Sequence, residues 1–348
     1  MKGLTFQGIQ NVAFVDVPNP KIELPGDVIV KTNITAICGS DLHVYHGREK
    51  GIDPGTVMGH EFIGEVVEVG ADVKKLKKGD KVFSPFFSAC GECYYCKKNL
   101  SCRCEKGQLF GWVEGGKGLQ GAQAEYVRVP LADTTLTVIP ENISDEEALL
   151  LCDILPTGFF CAYSAEPSGE KVIAVIGAGP VGLLTIVALK EYGVQKIFSL
   201  DMIPERLKKA EELGAIPINV SLEEEINILF KETGGRGVDA VCEAVGSPSA
   251  QSLAYKLVRP GGILSVVGVH TENNFSFSPT QAYDKNITYK TGRCPVQFFL
   301  SELIPLVQKK KYDFSFVFSH RLPLSEGKKG YKIFDQKIDN CSKVILKS

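Results

Sequence analysis

Four cysteines, Cys90, Cys93, Cys96 and Cys104, follow one another at steps of three, three and eight residues. The two-residue spacers let consecutive thiolates converge on one ion. Four sulfurs in a tetrahedron make the closed coordination of structural zinc, with no position left for substrate. An iron–sulfur cluster uses the same four thiolates and is the alternative for this segment. Cys102 is left over and reads as a free thiol. A second set of metal-binding side chains is dispersed: Cys38 in Cys38-Gly-Ser40-Asp-Leu-His43, His60 in Gly59-His-Glu61, and Asp153 beside Cys152. Singly, these have bland accounts as a small buried residue, a loop histidine and a helix-end acid. The 11 cysteines are an odd number, and the chain opens without the apolar run of a secretory signal. Reduced, metal-binding thiols are therefore expected in place of a disulfide framework.

A third constellation would bind a dinucleotide. Gly177-Ala-Gly179-Pro180-Val181-Gly182 directly follows the apolar run Val172–Ile176 and opens a helical pattern. Gly177 permits the tight turn, Gly179 lets backbone approach a pyrophosphate, and Gly182 lets helix and strand pack closely. The pyrophosphate would sit on the helix N-terminus, where free N–H groups and the dipole favour an anion. The next strand ends in Asp201, 19 residues beyond Gly182, placed to accept hydrogen bonds from the adenosine ribose. A carboxylate there repels a 2′-phosphate by about 1–4 kcal/mol near 4 Å, so NAD is expected over NADP. Arg206 could lie along the adenine or stand solvated on a helix surface.

These residues need elements to hold them. Up to about residue 150 the pattern is mostly strands (Val28–Ala36, Glu61–Val69, Lys81–Phe86, Glu125–Val129) between Gly, Pro and Asp punctuation, which suggests a β-rich barrel or sandwich. Ser144-Asp-Glu-Glu147 is a capping box opening a helix. From there strands and helices alternate: Val172–Ile176, helix Pro180–Tyr192, Lys196–Leu200, helix Pro204–Leu213, Val238–Cys242, a helical run to Val258, and Ile263–Gly268. Such alternation is what a doubly wound parallel sheet requires. After about residue 290 come the helix Val296–Lys309, a second helix and a terminal strand, Lys343–Leu346.

A length of 348 residues suggests about two domains. Hydrophobic residues at 44% and charged residues at 23% are ordinary for a globular chain. Thirty-nine basic against 41 acidic side chains leave a net charge of −2, so no nucleic-acid partner is expected. No apolar run approaches a membrane span, and a cytoplasmic protein is expected.

Along essentially its whole length the chain resembles the zinc-dependent medium-chain alcohol dehydrogenase family. The matching landmarks are Cys38–His43, Gly59-His-Glu-Phe-Ile-Gly-Glu-Val-Val-Glu-Val-Gly70, Gly79-Asp-Lys-Val82, the four-cysteine lobe, and Gly177–Gly182 with Asp201. Asp153-Ile-Leu-Pro-Thr157-Gly158 is more particularly similar to the branch containing glutathione-independent formaldehyde dehydrogenases and bacterial secondary-alcohol dehydrogenases. There an aspartate replaces the cysteine that is the third zinc ligand of the liver-type enzymes; Cys152 is the neighbouring candidate. The resemblance implies an α/β two-domain fold: a GroES-like catalytic domain (1–153 and 293–348) carrying the zinc lobe at 90–104, and a Rossmann NAD-binding domain (154–292). It implies two zinc ions per chain, one on Cys90, Cys93, Cys96 and Cys104, the other on Cys38, His60 and Asp153, with Glu61 able to approach as a fourth ligand. Ser40 would take the alcohol proton, His43 would pass it towards solvent through the cofactor ribose, and Thr157 would lie against the nicotinamide. His46 has no mapped role and is expected at the surface. The expected function is hydride transfer between an alcohol and NAD, in a homodimer or homotetramer. The alternatives are a zinc-free quinone or enoyl reductase relative, which needs none of Cys38, His60 and Asp153, and a catalytically idle NAD- or zinc-binding protein, which needs no Ser40–His43 relay. Pocket walls would come from residues 46–57, 86–87, 109–123 and 270–297, which leave the substrate open among polyols, simple alcohols and aldehydes.

Overall fold

The computed structural model describes residues Met1–Ser348. They form two units, Met1–Asp153 with Pro295–Ser348, and Ile154–Cys294. The return to the first unit thus falls at Pro295, slightly beyond the expected 293.

The first unit begins with β1 (Lys2–Gly8), β2 (Asn11–Asp16), β3 (Val28–Ile37), β4 (Phe62–Val69), β5 (Lys81–Phe83), β6 (Trp112–Glu114), β7 (Lys117–Leu119), β8 (Tyr126–Val129) and β9 (Thr137–Val138). β1–β2 and β6–β7 are antiparallel pairs. The run expected over Lys81–Phe86 stops at Phe83, because Pro85 has no N–H to give a ladder. The helix Asp145–Leu150 starts at Ser144, which donates its N–H to Glu147 Oε2 at 2.8 Å and receives the Glu147 N–H on Oγ at 3.3 Å. That reciprocal cap is worth about 1 kcal/mol, and it fixes where the segment leading to Asp153 begins.

The second unit contributes β10 (Val172–Ile176), β11 (Lys196–Asp201), β12 (Ile216–Asn219), β13 (Val238–Glu243), β14 (Val258–Val266) and β15 (Thr288–Thr291). All pair in parallel, in the order β12-β11-β10-β13-β14-β15. The order reverses beside β10, which is where a doubly wound sheet binds its ligand, outside the carboxyl ends of the strands. Ile173, Ala174 and Val175 are fully buried, and each Val or Ile so buried contributes about 1.5–3 kcal/mol. β14 begins at Val258, earlier than the expected Ile263, and runs through Pro260-Gly261-Gly262 with a register shift against β13.

The chain then returns to the first unit with β16 (His320–Pro323) and β17 (Val344–Lys347). A seven-stranded sheet results, in the order β16-β17-β3-β4-β5-β9 with β8 also on β3. β3 is its spine: Val28–Lys31 pairs with β8, and Ile34–Ile37 pairs antiparallel with β17. The inner faces of β3, β4, β5 and β8 meet through Val28, Val30, Phe62, Val66, Val82 and Val127.

Candidate metal centre and dinucleotide turn

Cys38 directly follows β3 and is the N-cap of the helix Gly39–Tyr45. This single turn-and-helix carries Ser40 and Asp41 towards His60, which immediately precedes Glu61 and β4, while His43 is buried on the same helix. Cys38 Sγ, a ring nitrogen of His60 and an Asp153 carboxylate oxygen all lie within 4.8 Å of one another. Cys38 Sγ is 3.5 Å from Asp153 Oδ2, His60 Nε2 is 3.5 Å from the same oxygen, and Ser40 Oγ is 3.3 Å from His60 Nε2. The neighbouring Cys152 is fully buried and points elsewhere, its thiol 3.4 Å from the Phe62 carbonyl oxygen.

The other His60 nitrogen, Nδ1, is 3.3 Å from Asp41 Oδ1, while Asp41 Oδ2 accepts the Cys38 N–H at 2.9 Å. One carboxylate therefore orients two of the three donors, the supporting arrangement usual for a metal-bound histidine. Burial opposes charge on His60, yet Asp41 and Asp153 together push its pKa well above the usual value. An imidazole set among a thiol and two carboxylates is a place arranged for a cation. Glu61 is fully buried; its Oε2 lies 2.6 Å from Lys343 Nζ, and its Oε1 has no hydrogen-bond partner. Burial works against the Lys343 ammonium, but Glu61 and then Cys38 keep it charged. The donors fit zinc: sulfur, nitrogen and oxygen converge from three segments.

Cys90, Cys93, Cys96 and Cys104 form the second convergent set, again within 4.8 Å. The Cys90 N–H donates to Cys104 Sγ at 3.2 Å and the Cys93 N–H to Cys90 Sγ at 3.4 Å. Backbone N–H groups of Cys96 and Glu105 pull the Cys93 thiol down to about 6, while burial pushes the Cys96 thiol up to about 12 and that of Cys104 up as well. Donors aimed at sulfur favour thiolates, which is the state a metal needs. Cys102 is buried in the adjoining Ser101–Arg103 turn, outside the set.

In the second unit Gly177 (φ +91°) makes the turn after β10 and Pro180 starts the helix Pro180–Glu191, with Val181 in its first turn. A Cβ on Gly182 would sit 1.7 Å from the Gly177 carbonyl oxygen, so close packing requires glycine there. Gly179 is different. Its φ is −73°, and a Cβ would meet nothing nearer than Arg206 Nη1 at 3.9 Å. The fold has no internal need for a bare backbone at 179, whereas a pyrophosphate approaching the helix start does. Asp201 closes β11. Its Oδ2 accepts the Ala178 N–H at 2.7 Å, and its Oδ1 accepts those of Met202 and Ile203 at 2.7 and 3.0 Å. Arg206 Nη1 lies 3.7 Å from Asp201 Oδ2. Thr157 is half-buried in the first turn of the helix Ile154–Ser164.

His46, expected at the surface, is partly buried: its Nε2 lies 2.7 Å from Asp335 Oδ1, tying the end of the Gly39–Tyr45 helix to the helix Gly327–Gln336. Sequence reasoning also passed over Asp41, Gln123, Tyr331 and Lys343. Asp41 carried a usable signal, since it lies three residues after Cys38 at a cap position. The other three approach only through tertiary structure.

A model of the alcohol dehydrogenase GroES-like domain matches residues 24–141, and one of a zinc-binding dehydrogenase matches residues 180–308. The chain is 42% identical to zinc-type alcohol dehydrogenase B of Aspergillus flavus, covering 100% of this chain and 81% of that one. It is 38% identical to an uncharacterized zinc-type alcohol dehydrogenase-like protein of Bacillus subtilis, covering 100% of both. Among solved structures, the alcohol dehydrogenase TADH of Thermus sp. ATN1 superposes with a TM-score of 0.92 at 40% identity, over 100% of this chain and 99% of that one. The chain belongs to the zinc-dependent medium-chain alcohol dehydrogenase family. A zinc-free reductase or an idle binding protein is not favoured by these relatives.

Proposed function

We propose that this chain interconverts small alcohols and their aldehydes or ketones with NAD, the alcohol chemistry residing in the first unit and the dinucleotide in the second. The observation that carries this is the convergence of Cys38, His60 and Asp153 with Ser40 Oγ 3.3 Å from His60 Nε2. Zinc held by that triad would acidify an alcohol, as it lowers the pKa of water from 15.7 to about 7, and NAD would accept the hydride. Cys38 and Asp153 supply the two negative charges that balance the ion, and His60, braced by Asp41, supplies a neutral nitrogen. Ser40 Oγ takes the hydroxyl proton and passes its own on towards the His43 imidazole, a group able to accept and release a proton. Phe86 sets its ring edge-on to His60, with centroids 6.3 Å apart, and Phe87 packs on Phe86. That apolar wall favours a hydrocarbon substituent beside the hydroxyl, so simple primary and secondary alcohols are the proposed class. A panel of alcohols, polyols and aldehydes coupled to NAD reduction or NADH oxidation tests the proposal. No turnover by zinc-replete protein across the panel would overturn it.

NAD is the cofactor we read from Asp201, with Arg206 beside it and Gly177, Gly179, Pro180, Val181 and Gly182 in the turn. Asp201→Ala should raise the dissociation constant for NAD about tenfold, since hydrogen bonds to a charged group are worth roughly 1.5–3 kcal/mol. The same change should narrow the advantage over NADP by removing repulsion of the 2′-phosphate. Fluorescence titration with both cofactors reads the two effects, and an unmodified protein preferring NADP would refute the assignment.

A homodimer or homotetramer is the proposed assembly. β15 leaves one edge of the six-stranded sheet open, and Phe275 (60%) and Tyr283 (81%) are exposed close to it in sequence. Open edges and large exposed apolar side chains both seek partners. Light scattering should therefore return at least twice the 37.9 kDa chain mass. The convergent thiols of Cys90, Cys93, Cys96 and Cys104 fit a reducing compartment, in line with a cytoplasmic site, and no helix is long and apolar enough to cross a membrane.

A further inference from the structure

We propose that Tyr331 and Gln123 are positioning residues for the Cys38–His60–Asp153 site, acting together through Asp41; the inference rests on the metal reading of that site. Tyr331, on the helix Gly327–Gln336, is fully buried, and a buried phenol needs a hydrogen-bond partner. Its hydroxyl donates to Gln123 Oε1 at 2.9 Å. Gln123 is also fully buried, and its Nε2 donates to the Ala36 carbonyl oxygen at 3.2 Å and to Asp41 Oδ2 at 3.3 Å. Every polar atom of the amide is thereby used. Its orientation is chemically fixed, because the reverse would bring the amide oxygen against a carbonyl and a carboxylate, acceptors all.

Asp41 is the point of delivery. Its Oδ2 takes both the Gln123 amide and the Cys38 N–H, and its Oδ1 faces His60 Nδ1. With the amide in place, rotation of the carboxylate would break two bonds at Oδ2; without it, only one. The aim of His60 Nε2 and the backbone bearing Cys38 both depend on that rotation. Room for the amide comes from Gly59, next to His60, where a Cβ would fall 2.4 Å from Gln123 Cγ. The Gln123 backbone is pinned independently, its N–H on the Met58 carbonyl and its carbonyl on the Leu4 N–H, each at 2.8 Å. Changes to the side chain thus leave the strand path intact.

The test uses purified holoenzyme and follows zinc transfer to a chromophoric chelator, with the four-cysteine site as internal control and Asp153→Asn used to assign the phases. Tyr331→Phe keeps the ring and its packing on Tyr45, with centroids 5.6 Å apart, and Gln123→Met keeps the length. Each should quicken release from the Cys38–His60–Asp153 site about tenfold, the lower end of what outer partners of metal ligands control. Release from the four-cysteine site should stay unchanged, and the visible spectrum of the cobalt-substituted catalytic site should shift. The proposal is overturned if both variants keep the wild-type rate and spectrum, or if the two phases quicken together, as general loosening would produce. Wild-type protein carrying zinc only on the four cysteines would overturn the metal reading of the site itself, a result distinct from these.

Discussion

Asp153→Asn should lower turnover by at least about a hundredfold, beyond the range seen for loss of an outer partner, and should release the zinc held with Cys38 and His60. The amide keeps the size of the carboxylate but removes one of the two negative charges that balance the ion. Cys152→Ser is the control, because its side chain is fully buried against Phe62 and Ala148 and lies outside the converging donors. A serine hydroxyl can still donate to the Phe62 carbonyl oxygen, so zinc content and turnover should stay near wild type. Metal analysis and steady-state rates on both variants decide the matter. Loss of zinc and activity in Cys152→Ser with both retained in Asp153→Asn would reverse the ligand assignment and the branch placement built on it.

Cys93→Ser should remove the other zinc and leave the first in place. A closed thiolate site contributes folding free energy directly, and loss of a structural metal is among the few single changes that cost about 4 kcal/mol or more. At about 2–4 °C per kcal/mol for a domain of this size, calorimetry should show a fall of roughly 8–16 °C. Cys102→Ser, adjacent in space but outside the set, should hold both ions. Wild-type protein with no ion on this lobe would disprove the assignment.

Much of this was readable from the chain because it is local. The turn Gly177–Gly182, the four-cysteine spacing and the Ser144–Glu147 cap all complete their geometry within a few residues, so pattern and structure coincide. Edge strands were harder. β12 contains Pro217, and β15 places Lys290 between threonines and a tyrosine, so neither presents the apolar run that marks β10. β1 and β2 mix apolar with polar residues, and β1 finds further partners only in distant loop residues such as Val57 and Gln123. The surroundings of the metal were least accessible. Lys343 reaches Glu61 across 282 positions, and Tyr331 reaches Gln123 across 208. No spacing rule spans such intervals: Lys343 reads from sequence only as the start of the terminal strand, and Tyr331 as one residue of the helix before it.

The pairing of β17 with β3 has a consequence for biosynthesis. A ribosome delivers Ile34–Ile37 some three hundred residues before their partners Val344–Lys347, with the whole of Ile154–Cys294 emerging in between. During that interval the spine of the sheet exposes an unpaired, apolar edge, and Glu61 has no Lys343 to neutralise it. Chains stalled or clipped before residue 343 would therefore lack both the strand and the cation, leaving a nascent protein that displays a sticky ladder edge to chaperones and proteases. The strand that closes the ladder edge and the cation that neutralises Glu61 thus arrive together, on neighbouring residues.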